Sequence, residues 1–145
     1  MGDAMTATRE RLPDERRSVT IKQTMHAAEL DPCSGQYEAR IVKIYTTVGL
    51  YDDGRPGEVF VHVGQHGGAI GSLMDCLAIA ISIGLQHGVP LAAYLGKLER
   101  QRFEPSGRTD DPALGHCASV VDAVARALKR RFCPDVPDDL ENSAG

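Results

Sequence analysis

Between Arg40 and Val63 the chain alternates with a period of two on both sides of one short turn, and this constrains the fold more than any other stretch. Val42, Ile44, Val48 and Leu50 fall on one parity; Lys43, Tyr45 and Thr47 fall on the other. Successive side chains of a strand point to opposite faces, so this pattern of β-branched residues fits a half-buried antiparallel strand over Arg40–Tyr51. Asp52-Asp53-Gly54-Arg55-Pro56-Gly57 then forms a turn, since Asp-Gly tolerates the positive φ angles of a tight hairpin. Val59, Val61 and Val63 resume on one face over Glu58–Val63.

The flanking segments supply a third strand and the cover. Val19, Ile21 and Gln23 alternate with Thr20, Lys22 and Thr24, which predicts a short strand over 19–24. Residues 26–38, with Asp31-Pro32, Ser34 and Gly35, read as a loop. After Gly64 the period changes. Ile70, Leu73, Met74, Leu77, Ile81 and Leu85 recur at steps of three and four, one apolar stripe of a helix that stops at Gly88 and Pro90. A second helix starts near Pro90 and buries Leu91, Tyr94, Leu95 and Leu98; residues 103–111 form a loop. A third runs from about Ala118 to Phe132, with Val120, Val121, Val124, Leu128 and Phe132 inward. Arg126, Lys129, Arg130 and Arg131 stand in its final turns, where cations suit the helix dipole.

Strands precede helices, so the expected fold is α+β: a small antiparallel sheet of about three strands with about three helices packed on one face. The expected boundaries are a flexible, charged lead-in over 1–17, one domain over 18–133 and an acidic, disordered tail over 134–145.

At 145 residues the chain is one domain by length, too short for a ten-stranded catalytic barrel. The net charge of −4 argues against a broad surface for nucleic acid or acidic lipid, and 5% aromatic content without Trp argues against a base-stacking platform. The longest apolar stretch, Ile79 to Leu85, is interrupted by Ser82 and Gly84, so no membrane span is expected. The charged start carries no apolar segment behind it and does not read as a secretory signal, which makes the cytoplasm the expected compartment. Cys33, Cys76, Cys117 and Cys133 form no CxxC pair, and free thiols are expected, with Cys76 and Cys117 buried on helix faces.

Several residues could carry chemistry. Gly64, Gly67, Gly68 and Gly71 lead from a strand into a helix, where exposed N–H groups can hold a phosphate or another ligand. The spacing is neither a Rossmann fingerprint nor a P-loop, and a flexible connection needing positive φ is the favoured explanation of the glycines. His62 and His66 would need to fold together with a third ligand such as Cys117 or Asp75 to hold a metal, and no metal site is expected. His116 beside Cys117 is a sequence neighbour, and adjacent side chains point apart, so an inert thiol is expected. Asp75 and Asp122 lie on helices, where an aspartate faces solvent or caps a neighbouring element. Arg102, Glu104 and Ser106 form a polar cluster in a loop with Pro105 and Gly107, either a turn with an internal Arg–Glu pair or a docking surface.

Several of these stretches coincide with one family. Arg11-Leu12-Pro13-Asp14, Arg17-Ser18-Val19-Thr20, the run from Thr47 through Gly49-Leu50-Tyr51-Asp52-Asp53-Gly54-Arg55-Pro56-Gly57-Glu58 to Phe60, Leu73-Met74-Asp75, Leu85-Gln86-His87-Gly88-Val89-Pro90-Leu91, Arg102-Phe103-Glu104-Pro105-Ser106-Gly107 and Ser119-Val120-Val121-Asp122 follow in order. Together they resemble the TSCPD domain, the C-terminal module of adenosylcobalamin-dependent (class II) ribonucleotide reductases, over roughly residues 9–133. The loop at 64–71 is richer in glycine than the family's version, and the insertion around Asp31-Pro32-Cys33 also departs from it. The resemblance implies an association with reduction of ribonucleoside diphosphates to deoxyribonucleotides for DNA synthesis. It implies adenosylcobalamin and redox cysteines only for the radical barrel of the whole enzyme. No catalytic residue is therefore carried over to this chain. The expected role is an accessory part with a reductase catalytic subunit as partner. The alternatives are a non-enzymatic nucleotide- or phosphate-binding module and a protein-interaction module.

Overall fold

The computed structural model describes residues 8–64 and 68–137. Five strands form one open sheet: β1 (Ser18–Leu30), β2 (Tyr37–Leu50), β3 (Pro56–Gly64), β4 (Gly107–Thr109) and β5 (His116–Cys117). They lie in the order β3-β2-β1-β4-β5, and every neighbouring pair is antiparallel. Three helices, α1 (Ala69–Gln86), α2 (Leu91–Leu98) and α3 (Val120–Phe132), complete an α+β fold.

The alternating residues of β2 and β3 behave as their parity predicts. Val42, Ile44, Val48, Val59, Val61 and Val63 are buried, while Lys43, Phe60 and His62 are exposed. The buried face meets Met74, Ala78, Ile81 and Leu85 of α1, Leu91 and Leu95 of α2, and Val120, Val124 and Leu128 of α3 in one hydrophobic cluster.

Four features differ from the sequence reading. The expected loop over 26–38 is mostly strand, because β1 and β2 stay in register from Ser18↔Gly49 to Leu30↔Tyr37. Only the tip turns. There Asp31 accepts from Cys33 N at 2.9 Å and from Ser34 Oγ at 2.8 Å, and Gly35 takes a φ of 70°. The Asp, Ser and Gly that read as a long loop serve this short one.

The loop over 103–111 contributes β4, which pairs with β1, and the two-residue β5 joins beyond it, so the sheet has two strands more than the three expected. Neither is long enough to show a period.

Residues 8–17, expected within a flexible lead-in, are held by specific contacts. Arg9 Nε donates to Gln86 Oε1 at 2.6 Å, Glu10 N donates to Gln86 O at 2.7 Å, and Tyr51 Oη donates to Glu10 O at 2.7 Å. Arg16 forms a two-pronged pair with Glu58 at 2.6 and 2.9 Å, the planar fork that matches a carboxylate. Residues 138–145 of the expected acidic tail lie outside the described residues.

The apolar stripe of α1 is broader than the core needs. Leu73, expected inward, is 62% exposed, and Ile79 and Ile83 are 59% and 56% exposed. By length and composition α1 could cross a membrane, although its inner face is built into the core.

Candidate functional site

The glycine-rich connection joins β3 to α1. Gly64 is the last residue of β3, Gly68 stands at the N-cap of α1 with a φ of 83°, and Gly71 lies in the first turn. Gly67 and His66 lie outside the described residues. Among the described residues no side chain caps this helix start and no acidic residue occupies its first turn.

Beside it, the outer side of β3 and the exposed side of α1 enclose a groove of about 590 Å³. Phe60, His62, Tyr45, Asp75, Ile79 and Ile83 contribute to its walls, and the Tyr45 and His62 rings lie 6.3 Å apart. α1 is fastened here through backbone groups of the edge strand. Ser82 Oγ accepts from Val59 N at 2.8 Å, and Gln86 Nε2 donates to Gly57 O at 3.0 Å. The groove has the volume of a site for a drug-sized ligand and cannot enclose a corrin ring with its nucleotide loop. The described residues that line this groove do not form a cobalamin site.

At the other end of the helical layer, the Arg102–Ser106 loop divides. Arg102 lines a cleft of about 330 Å³ with Arg100, His116, Asp122 and Arg126. Glu104 accepts from Ser106 Oγ at a long 3.5 Å, so the Arg–Glu pair of one of the two readings is absent among the described residues. Asp122 organises the cleft. It is 2% exposed and accepts from Arg100 N at 2.7 Å and from Ala118 N at 2.8 Å. Ser119 caps α3 by accepting from Asp122 N at 3.0 Å. The sequence carried this signal: Ser119 and Asp122 have the spacing of a capping box. Arg100 had no such signal, because its importance comes from where Asp122 places it.

The thiols also divide. Cys76, expected buried on a helix face, is exposed on α1. Cys117 is buried, but on β5 rather than on a helix, and His116 beside it is exposed because strand neighbours point to opposite faces. Burial pushes the Cys117 thiol up, more than the nearby Arg126 pulls it down, and burial likewise raises Cys133. His62 on β3 and Cys117 on β5 stand at opposite edges of the sheet. Among the described residues no three His, Cys, Asp or Glu side chains gather as metal ligands.

The TSCPD domain family model matches residues 8–132, almost all of the described chain. This chain belongs to the TSCPD domain family. Similar curated proteins are the vitamin B12-dependent ribonucleotide reductases of Rhodopirellula baltica, 42% identical over 86% of this chain, and of Streptomyces clavuligerus, 38% identical over 87%. The one from Bradyrhizobium diazoefficiens is 36% identical over 83%. This TSCPD domain spans only 11%, 12% and 8% of those relatives' own lengths, so it corresponds to one small part of each. No solved structure matches the chain.

Proposed function

We propose that this TSCPD domain serves a vitamin B12-dependent ribonucleotide reductase in the cytoplasm as an accessory part, docked on the catalytic body that reduces nucleotides for DNA synthesis. The observation that carries the reading is the match of nearly the whole domain to about a tenth of proteins named as such reductases. The surface of α1 supports it. Leu73, Ile79 and Ile83 are large, apolar and more than half exposed on a helix otherwise built into the core. A contiguous apolar face of this kind suits contact with another protein body. Cys117 favours an accessory over a catalytic role, since it is closed off from solvent and its sulfur lies against the Arg126 guanidinium, while His116 points to the opposite face.

The test uses the full chain and a purified B12-dependent reductase body whose own TSCPD module has been deleted. The chain binds that body, and its addition raises deoxynucleotide formation above that of the body alone. The double variant L73E/I83E keeps its circular dichroism and loses the binding. Ribonucleotide reduction by this chain unaided would overturn the accessory role, as would failure to bind the reductase body.

A further inference from the structure

The cleft between the end of α2 and the start of α3 carries positive charge that nothing in the reductase reading uses. Arg100, Arg102 and Arg126 line it, with Glu99 and Asp122 as its carboxylates. Glu99 is matched by Lys129, whose Nζ lies 3.1 Å from one oxygen and donates to the other at 3.4 Å. Asp122 is committed to the backbone N–H groups of Arg100 and Ala118, with Arg126 3.7 Å away. Neither carboxylate binds the guanidinium of Arg100 or Arg102, and these two side chains have no partner among the described residues.

The cleft is also held in shape. Arg100 has a φ of 66°, a conformation disfavoured for residues with a side chain, and the bond from its N–H to Asp122 keeps it there. Arg126 is oriented by donating to His116 O at 2.9 Å and to Leu114 O at 2.7 Å. Those carbonyls fix the guanidinium without cancelling its charge.

We infer that this cleft binds the phosphate group of a small ligand. Several guanidinium groups around one pocket supply the planar, charge-assisted donors that phosphate oxygens accept, and they match a group with more than one negative charge better than a single carboxylate does. Glu104, two residues from Arg102, does not line the cleft, and the two carboxylates that do, Glu99 and Asp122, are committed to Lys129 and to backbone N–H groups. A volume of about 330 Å³ leaves space beyond one phosphate. The inference is independent of docking on a reductase, because every group involved belongs to this chain.

The probe is inorganic pyrophosphate, titrated calorimetrically into the full chain, with sodium chloride at matched ionic strength as the reference. Saturable binding is expected with pyrophosphate only. R102Q is expected to weaken it about ten-fold, the effect of losing one charge-assisted bond. R100G is expected to weaken it similarly while leaving the thermal midpoint no lower, because glycine accepts a positive φ and the backbone bond to Asp122 remains. A nucleoside diphosphate that binds more tightly than pyrophosphate assigns the phosphate to a nucleotide; equal affinity assigns recognition to the phosphate alone, and both support the site. No saturable binding, binding unchanged in both variants, or equal binding of succinate would overturn it.

Discussion

Ser82 Oγ lies 2.8 Å from the backbone nitrogen of Val59, so a helix side chain completes the hydrogen bonding of an edge strand. The same hydroxyl can donate to Ala78 O at 2.8 Å or to Val59 O at 3.1 Å. An edge strand with unpaired N–H and C=O groups invites pairing with another chain, and α1 covers this one. S82A leaves the Val59 N–H without that acceptor in a half-buried place. We expect a loss of about 1–2 kcal/mol, seen as a lower urea midpoint at unchanged slope. An unchanged midpoint would show that solvent replaces the hydroxyl.

Asp122 joins the end of α2 to the start of α3 through two backbone N–H groups. D122A strands both donors in a part-buried place and is expected to cost about 2 kcal/mol. D122N keeps one carbonyl acceptor and is expected to cost less. Comparing their urea midpoints separates the hydrogen bonds from the space the side chain fills. If the two variants are equally destabilised, the bonds are not what matters.

The motif Arg102-Phe103-Glu104-Pro105-Ser106-Gly107 contains a glycine with a steric reason. A Cβ on Gly107 would stand 2.0 Å from His26 O and 2.7 Å from His26 C, both backbone atoms of β1. Neither can move aside as a side-chain tip could. G107A is therefore expected to force β4 from β1 and cost about 2–3 kcal/mol. Hydrogen exchange should rise at β4 and at the facing residues Met25–Ala27 before it rises elsewhere.

The sequence was legible where local period and tertiary burial agree, and opaque where a contact distant in sequence decides. The β2–β3 hairpin is of the first kind, because Val42, Ile44, Val59 and Val61 alternate and one covered face suffices. Residues 26–30 are of the second kind. Ala27 and Ala28 have little strand preference, and pairing with Ala39 and Arg40 keeps them extended. On α1, periodicity chose the buried side correctly for Met74, Ile81 and Leu85 and missed only at Leu73, while Ile79 and Ile83, equally apolar, lie outside that stripe and are exposed. In the candidate site, Arg102 was visible as a loop arginine. Its cleft was not, because Arg126 and Asp122, distant in sequence, also line it.

The four thiols should separate under alkylation of the native protein. Cys33 and Cys76 are exposed and should be modified first. Cys133 is half-buried with a raised thiol, and Cys117 is closed off with its thiol raised by burial. Peptide mapping by mass spectrometry should find Cys117 unmodified until denaturant is added. Rapid native modification of Cys117 would restore it as a reactive thiol.

Acid should destabilise the domain through carboxylates that its own turns hold in the charged form. Arg55 bridges the turn to the lead-in, donating to Asp53 at 2.6 Å and to both oxygens of Glu10 at 2.7 and 3.0 Å. These bonds hold Glu10 and Asp53 below the ordinary carboxylate range. Arg130 does the same for Asp111, and the Cys33 N–H and Ser34 hydroxyl do so for Asp31. A folded-state pKa below the unfolded one gives stability that is complete above the unfolded value, near 4 for carboxylates, and is lost as pH falls through the folded value. The urea midpoint should therefore be flat near neutrality and fall as pH drops below about 5. Glu10 and Asp53 are solvent-exposed and Asp31 and Asp111 partly so, so added salt should shrink the fall. R55Q should remove the share due to Glu10 and Asp53 and leave that of Asp31 and Asp111, giving a shallower acid limb. A midpoint that rises on acidification, or an acid limb unaltered in R55Q, would show that these turn carboxylates do not control the acid stability of the fold.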